Sequence, residues 1–250
     1  MIIRKSPEEI ARMRRAGRIT ADAILRLVDF VKPGLTTAEL DAVGERAIRD
    51  AGATPSFVGY RGFPASICTS VNDQVVHGIP GERVIEEGDL LSLDVGAIWE
   101  GYHGDSAVTV IVGEPPSDEA EKLVRVTEDA LEAGISQLRV GGRLSDVGAA
   151  VQQLVEGAGF SVVREYVGHG IGQSMHEDPP IPNFGEPGRG PKIAPGLVVA
   201  IEPMVNIGGW ETRVLSDDWT VVTADGSLSA HFEHTIAITD DGPEVLTARS

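Results

Sequence analysis

The sequence predicts a mixed α/β (α+β) protein made of two similar halves, and three observations lead there. Helix-start signals come in closely spaced pairs, each pair is followed by short β-like runs, and the whole helix–helix–strand series occurs twice along 250 residues. In the first half, Ser6-Pro7-Glu8-Glu9 reads as a capping box with proline at the first helical position. Ile10, Met13, Gly17, Ile24, Leu27, Val28 and Val31 then recur at helical spacing until Lys32-Pro33-Gly34 stops the helix. Thr36-Thr37-Ala38-Glu39 opens a second helix with Leu40, Val43, Ala47 and Ile48 inward and Gly52 past its end. The clearest strands after it are Leu90 to Ile98 and Ser106 to Val112.

The order then repeats. Ser117-Asp118-Glu119 starts a helix reaching about Leu138, Gly141-Gly142 breaks it, and Ser145 is expected to cap another ending near Gly157 to Gly159. Strands are expected at Val162 to Val167, Leu197 to Ile201, Thr220 to Thr223 and about Phe232 to Thr239. Aligning Gly34 with Gly142 pairs Thr37 with Ser145, Ala42 with Ala150 and Val43 with Val151. No low-complexity linker divides the halves, about 1–115 and 116–250, so a single catalytic domain over 1–250 with one shared sheet and site is expected.

The formal net charge of −17 disfavours a stable grip on nucleic acid or an anionic membrane. The amino terminus carries no apolar signal segment and no later run approaches a membrane span, so the chain is expected in the cytoplasm. One cysteine, Cys68, allows no internal disulfide and reads as a small buried hydrophobe.

Asp94 interrupts an apolar strand, where an unpaired charge would cost several kcal/mol. A two-residue hairpin at Ile98-Trp99-Glu100-Gly101 would set Asp105 directly opposite Asp94, with Cβ atoms about 5 Å apart. Two facing anions call for a cation between them. The second half repeats the anomaly, with Glu202 closing the apolar run Leu197 to Ile201 and Glu233 inside the strand-like segment His231 to Ile236. His169 lies between glycines that let a ligand approach the backbone closely, in a segment lacking the dinucleotide-loop glycine spacing. Four carboxylates and one imidazole form a hard donor set suited to a pair of divalent first-row ions, whose charge they would balance. His77, taken alone, reads more readily as a satisfied core histidine than as a functional one.

These residues stand in motifs, namely Cys68 to Pro80, Leu93-Asp94-Val95-Gly96, Gly104-Asp105, Gly168 to Gly172, Met175-His176-Glu177, Ile201 to Met204 and Phe232 to Thr235. Together, and in this order, they closely resemble the type I methionine aminopeptidases in their compact bacterial form, over almost the whole chain. The resemblance implies the pita-bread fold, two pseudo-symmetric halves sharing a curved antiparallel sheet with helices on its outer face. It implies a metal-dependent hydrolase that removes the initiator methionine from nascent chains whose second residue is small. Asp94 and Asp105 would hold one ion and Asp105, His169, Glu202 and Glu233 the other, with Asp105 and Glu233 bridging. The ions could be cobalt, manganese, iron, zinc or nickel, and a hydroxide bridging them would be the attacking group. Glu202 would handle protons, His176 would stabilise the oxyanion, and His77 would contact the amide nitrogen of the second residue.

The same resemblance makes Tyr60, Phe63, Cys68 and Trp219 a methionine pocket, with Phe57 and Met175 at its edge, and lets Asn72 and Ser229 hold a monovalent cation. It implies a transient ribosome contact and leaves a monomer as the expected state. An Xaa-Pro peptidase shares the fold and ligands but carries an extra N-terminal domain, for which the 93 residues before Asp94 leave no room. A metal-free peptide-binding module of the same fold is the other alternative, and the intact ligand set argues against it.

Overall fold

In a computed structural model describing residues 1–249, both helix pairs form where the start signals lie. They are α1 (Pro7–Phe30) and α2 (Thr37–Asp50), then α3 (Asp118–Ser136) and α4 (Ser145–Gly157). The capping boxes of α1 and α2 are complete, since Ser6 and Thr36 accept the Glu9 and Glu39 amides while those glutamates accept the cap amides at 2.7 and 2.8 Å. One end differs from expectation. Leu144 is the cap of α4, and Ser145 is its first residue, donating its hydroxyl to the Arg189 carbonyl, while Asp146 accepts the Arg143 and Gly188 amides. Among the described residues, no side chain caps the first-turn amides of α4, and Ser145 and Asp146 instead tie the helix start to the 188–189 loop.

The Leu90–Trp99 and Tyr102–Ile111 strands form a long hairpin, flanked by Ile67–Val71 and Thr54–Pro55. Its turn is the pair Glu100-Gly101, with φ of 47° and 81°, so that Trp99 opposes Tyr102. Two left-handed residues in succession are what a two-residue hairpin turn matching strand twist requires. The expected register is therefore off by one pair. Asp105 opposes Gly96 and Asp94 opposes Ala107. Helix α1 lies so close behind this hairpin that a Cβ on Gly104 would come within 2.6 Å of the Gly17 nitrogen, and a Cβ on Gly17 would run into the Leu246 carbonyl oxygen, which explains two glycines in otherwise regular elements.

In the second half, Val198–Ile201 pairs with His234–Thr239 on one side and Gly168–Gly170 on the other. The expected strand over Val162 to Val167 is realised only as Ser161–Val162 and then Gly168–Gly170, and the other three expected strands are shorter than read. Each half has its own buried core, one of α1, α2 and the hairpin, the other of α3, α4 and the second-half strands, and Val108 packs against both.

The expected shared sheet is four hydrogen-bonded strand groups, all pairings antiparallel. The halves are joined by pairing of Gln74–Val76 with Val221–Thr223 and, beside the hairpin, by one backbone pair in which Ala107 and Glu233 exchange hydrogen bonds of 3.3 and 3.0 Å. On either side a threonine hydroxyl replaces the next backbone pair. Thr235 Oγ1 accepts from the Asp105 amide at 3.0 Å and donates to the Asp105 carbonyl at 2.8 Å. Thr109 Oγ1 does the same for His231, at 2.8 and 2.9 Å. Each half thus lends one threonine to bracket a residue of the other. Among the described residues, no helix is long and apolar enough to cross a membrane.

Replacing Thr235 by valine keeps the shape and leaves a buried amide and carbonyl of Asp105 unpaired. Urea unfolding should show a loss of about 2–6 kcal/mol, from roughly 1–3 kcal/mol per orphaned group, whereas Thr235→Ser should stay within about 1 kcal/mol of the parent.

Candidate metal centre and active site

The register of the strands explains why five distant residues meet. Cys68 opposes Asp94, Asp94 opposes Ala107 and Ala107 opposes Glu233, forming one row across four chain segments. Glu202 follows Ile201, which opposes His234, and so adjoins Glu233. In the neighbouring row His169 opposes Ala200, Ala200 opposes Thr235, and Thr235 brackets Asp105. Opposed residues share a face and so do residues two apart on one strand. All five expected ligands therefore project from one face, and the offset that aligns Gly34 with Gly142 also aligns Asp94 with Glu202.

Ligand atoms of Asp105, His169 and Glu233 lie within 4.8 Å of one another. The Asp94 and Asp105 carboxyl groups lie close enough to perturb one another's ionisation, and His169 Nε2 is 3.5 Å from Glu202 Oε1. Asp94 Oδ1, Asp105 Oδ1 and Glu233 Oε1 are buried with no hydrogen-bond partner among the described residues. Buried carboxylate oxygens left bare cost free energy, and a cation is the partner that suits all three. Oxygen donors with one imidazole fit hard or borderline divalent ions.

The electrostatics point the same way. Burial, followed by neighbouring carboxylates, pushes Asp94, Glu202 and Glu233 well above the usual carboxyl range, and burial lifts Asp105 to about 7. Desolvation and then the nearby His176 lower His169 to about 3, which keeps its imidazole neutral and able to ligate. His169 Nδ1 is 2.9 Å from the Gly170 carbonyl, which makes Nδ1 the protonated nitrogen and leaves Nε2 free to face the carboxylates.

A cavity of about 300 Å3 opens beside this row and is lined by the expected pocket residues Tyr60, Phe63, Cys68 and Trp219, and by His77 and His176. Phe63 packs edge-on against Trp219 with ring centroids 5.1 Å apart, and against Phe57 at 6.4 Å. Phe57 and Met175, expected at the pocket's edge, are buried in its wall with Phe63, Ala65 and Cys68. His77 has a left-handed φ of 60° and stands edge-on to Trp219 and Tyr166, and burial lowers its imidazole to about 4. It is therefore neutral at physiological pH.

His176 lies with its ring centroid 4.2 Å from that of His169. Its loop is fixed from below by a buried ion pair that sequence reading did not single out. Lys5 Nζ donates to Glu177 Oε2 at 2.6 Å and to the Ile3 carbonyl, while Glu177 Oε1 accepts the Ser174 amide. The sequence signals were a lysine just before the capping box and a glutamate beside His176, which are ordinary surface residues until the fold joins them. Behind the seam, Arg249 donates to Ser106 Oγ, which donates to the Glu233 carbonyl at 2.6 Å. Asn183 donates to the Glu202 carbonyl, and His231 Nε2 lies 3.9 Å from Glu202 Oε2.

Asn72 and Ser229 do come together, the Ser229 amide donating to the Asn72 carbonyl at 2.9 Å. Their side chains are engaged within the protein, Asn72 bridging Asp89 and the Leu90 amide and Ser229 donating to the Val205 carbonyl.

Crowding four carboxylates without a cation is destabilising, so Glu233→Gln should stabilise the metal-free protein while weakening the cation's hold. At pH 8, calorimetry of the metal-free variant should show a Tm about 2–4 °C above the parent, the equivalent of roughly 1 kcal/mol in a chain of this size. Addition of manganese should raise the parent's Tm and leave that of the variant nearly unchanged.

The model of metallopeptidase family M24 matches residues 11–240. Methionine aminopeptidase 1 of Bacillus subtilis is 55% identical over 247 residues, covering 99% of both chains. A methionine aminopeptidase structure from Thermotoga maritima superposes with a TM-score of 0.97 at 46% identity and 99% coverage of each chain. The Xaa-Pro dipeptidase of Bacillus anthracis superposes at 0.79 with 26% identity, but this chain spans only 61% of it. The pita-bread architecture, the donor set and the matched length agree, and the chain belongs to metallopeptidase family M24.

Proposed function

We propose that this protein is a methionine aminopeptidase that removes the initiator methionine from nascent chains with a small second residue. The observation that carries the reading is the apolar, aromatic and sulfur-lined cavity adjoining the row of bare, buried carboxylates. A thioether side chain is polarisable and unbranched, and an aromatic wall with a thiol at its base suits it. Two divalent ions, with Asp94 and Asp105 holding one and Asp105, His169, Glu202 and Glu233 the other, would supply Lewis acidity and acidify a water to a nucleophile at neutral pH.

The chain's own residues do the rest. Glu202, ionised once cations offset the charge of the carboxylate row, takes the proton of the attacking water and delivers it to the departing amine. His176 donates a hydrogen bond to the oxygen on which negative charge develops. His77, neutral at its lowered pKa, contacts the amide nitrogen of the second residue. Because carboxylates from both halves are needed, we take the whole chain as one catalytic domain. We take it to act in the cytoplasm, and the net charge of −17 favours a monomer with any ribosome contact transient.

Metal-stripped protein, reloaded with single divalent ions, should release free methionine from Met-Ala-Ser. Glu202→Ala should lower kcat by about 10²–10⁴-fold, the range for loss of a general acid–base. Cleavage confined to Xaa-Pro bonds would hand the reading to the proline peptidases, and a folded protein inert with every ion would hand it to a peptide-binding module.

A further inference from the structure

Tyr60 lines the cavity, yet its hydroxyl meets a polar partner rather than an apolar side chain. It lies 2.7 Å from His176 Nδ1, and the two rings stack with centroids 5.4 Å apart and planes 23° apart. The Arg61 guanidinium also lies over the Tyr60 ring, 5.5 Å from its centroid. Gly59 and Gly62, at φ of 76° and 91°, and Arg61 itself at 49° turn the chain tightly enough to place these side chains together at the cavity mouth.

We propose that Tyr60 is a positioning residue that fixes His176 in the tautomer protonated on Nε2. A short contact between a phenol and a ring nitrogen can be made in two ways, and the chemistry of the partners decides. A phenolic O–H is a stronger donor than an imidazole N–H, and the unprotonated ring nitrogen is a stronger acceptor than a phenol oxygen. The hydroxyl therefore donates to Nδ1. The proton of the neutral ring must then sit on Nε2, because the bond made at one nitrogen sets the state of the other. A neutral imidazole offers one donor only. With Nδ1 occupied as acceptor, that donor is free for the developing oxyanion without any rotation or proton shift during the reaction. The loop beneath is already immobilised by Lys5 and Glu177, so Tyr60 supplies the remaining constraint, on the ring's tautomer and tilt.

The inference rests on the role given to His176 above, and the experiment separates the two. Tyr60→Phe removes the hydroxyl and keeps the ring, its stack and the pocket wall. In metal-free protein with 15N-labelled histidine, two-dimensional long-range 15N–1H spectra should show His176 protonated on Nε2 in the parent. In Tyr60→Phe the ring should become a mixture of both tautomers. In the metal-loaded enzyme kcat should fall about tenfold, with KM for Met-Ala-Ser within twofold and manganese affinity unchanged. A parent His176 protonated on Nδ1, or a tautomer unaltered by the substitution, would overturn the inference. A shifted tautomer with unchanged kcat would uphold Tyr60's hold on the ring and overturn the role assigned to His176 instead.

Discussion

Asp94, Asp105, Glu202 and Glu233 are brought side by side where water is largely excluded, and every other feature of the centre follows from having to hold them there. Burial alone penalises each ionised carboxyl, and each neighbour adds to the penalty. Such an arrangement persists only where the backbone is over-determined. Beside the carboxylates this need is met by the backbone pair at Ala107 and Glu233, a threonine bracket on each side, and Arg249 acting from behind through Ser106. The strain of like charges is thus set against hydrogen bonds that converge on the two residues expected to bridge the ions.

The register errors made from sequence show why the site could still be read. Moving the hairpin turn by one pair changes the partner of Asp94 from Asp105 to Ala107. That displacement is two residues along the partner strand, and the side-chain period is also two, so both carboxylates keep the same face and remain diagonal neighbours. A one-residue slip would have sent Asp105 to the far side of the sheet. The polar interruptions at Asp94, Glu202 and Glu233 were legible because each sits in an apolar run, where a carboxylate needs a reason. The helix starts were legible because capping boxes are local chemistry, satisfied within four residues.

What escaped the sequence is long-range and chemically unremarkable at each end. Thr235 and Thr109 look like ordinary strand threonines until the opposing half is in place. Lys5 and Glu177, 172 positions apart, look like solvated charges. Tyr60 was recognised for its ring, while its hydroxyl acquires a meaning only once His176 is beside it. Ser145 has the residue type of a cap, but Leu144 takes the cap position and the Ser145 hydroxyl donates to the Arg189 carbonyl instead. In each case the pairing joins segments from different elements, and nothing local in the chain encodes it.

Specificity and chemistry share one structural origin here. Cys68 at the base of the cavity is the direct cross-strand neighbour of Asp94, so the pocket floor and the carboxylate row are consecutive positions of one sheet row. The distance between a side chain seated in the pocket and the reacting centre is therefore set by strand spacing, about 5 Å per strand, rather than by a loop. Loops contribute at the rim, through Tyr60, His77, His176 and Trp219, and these are the residues held by aromatic stacking or by the Lys5–Glu177 pair. A rigid floor with a braced rim puts the carbonyl to be attacked at a fixed place relative to the carboxylates. It also explains why the two halves cannot be uncoupled: the row that measures this distance starts in one half and ends in the other.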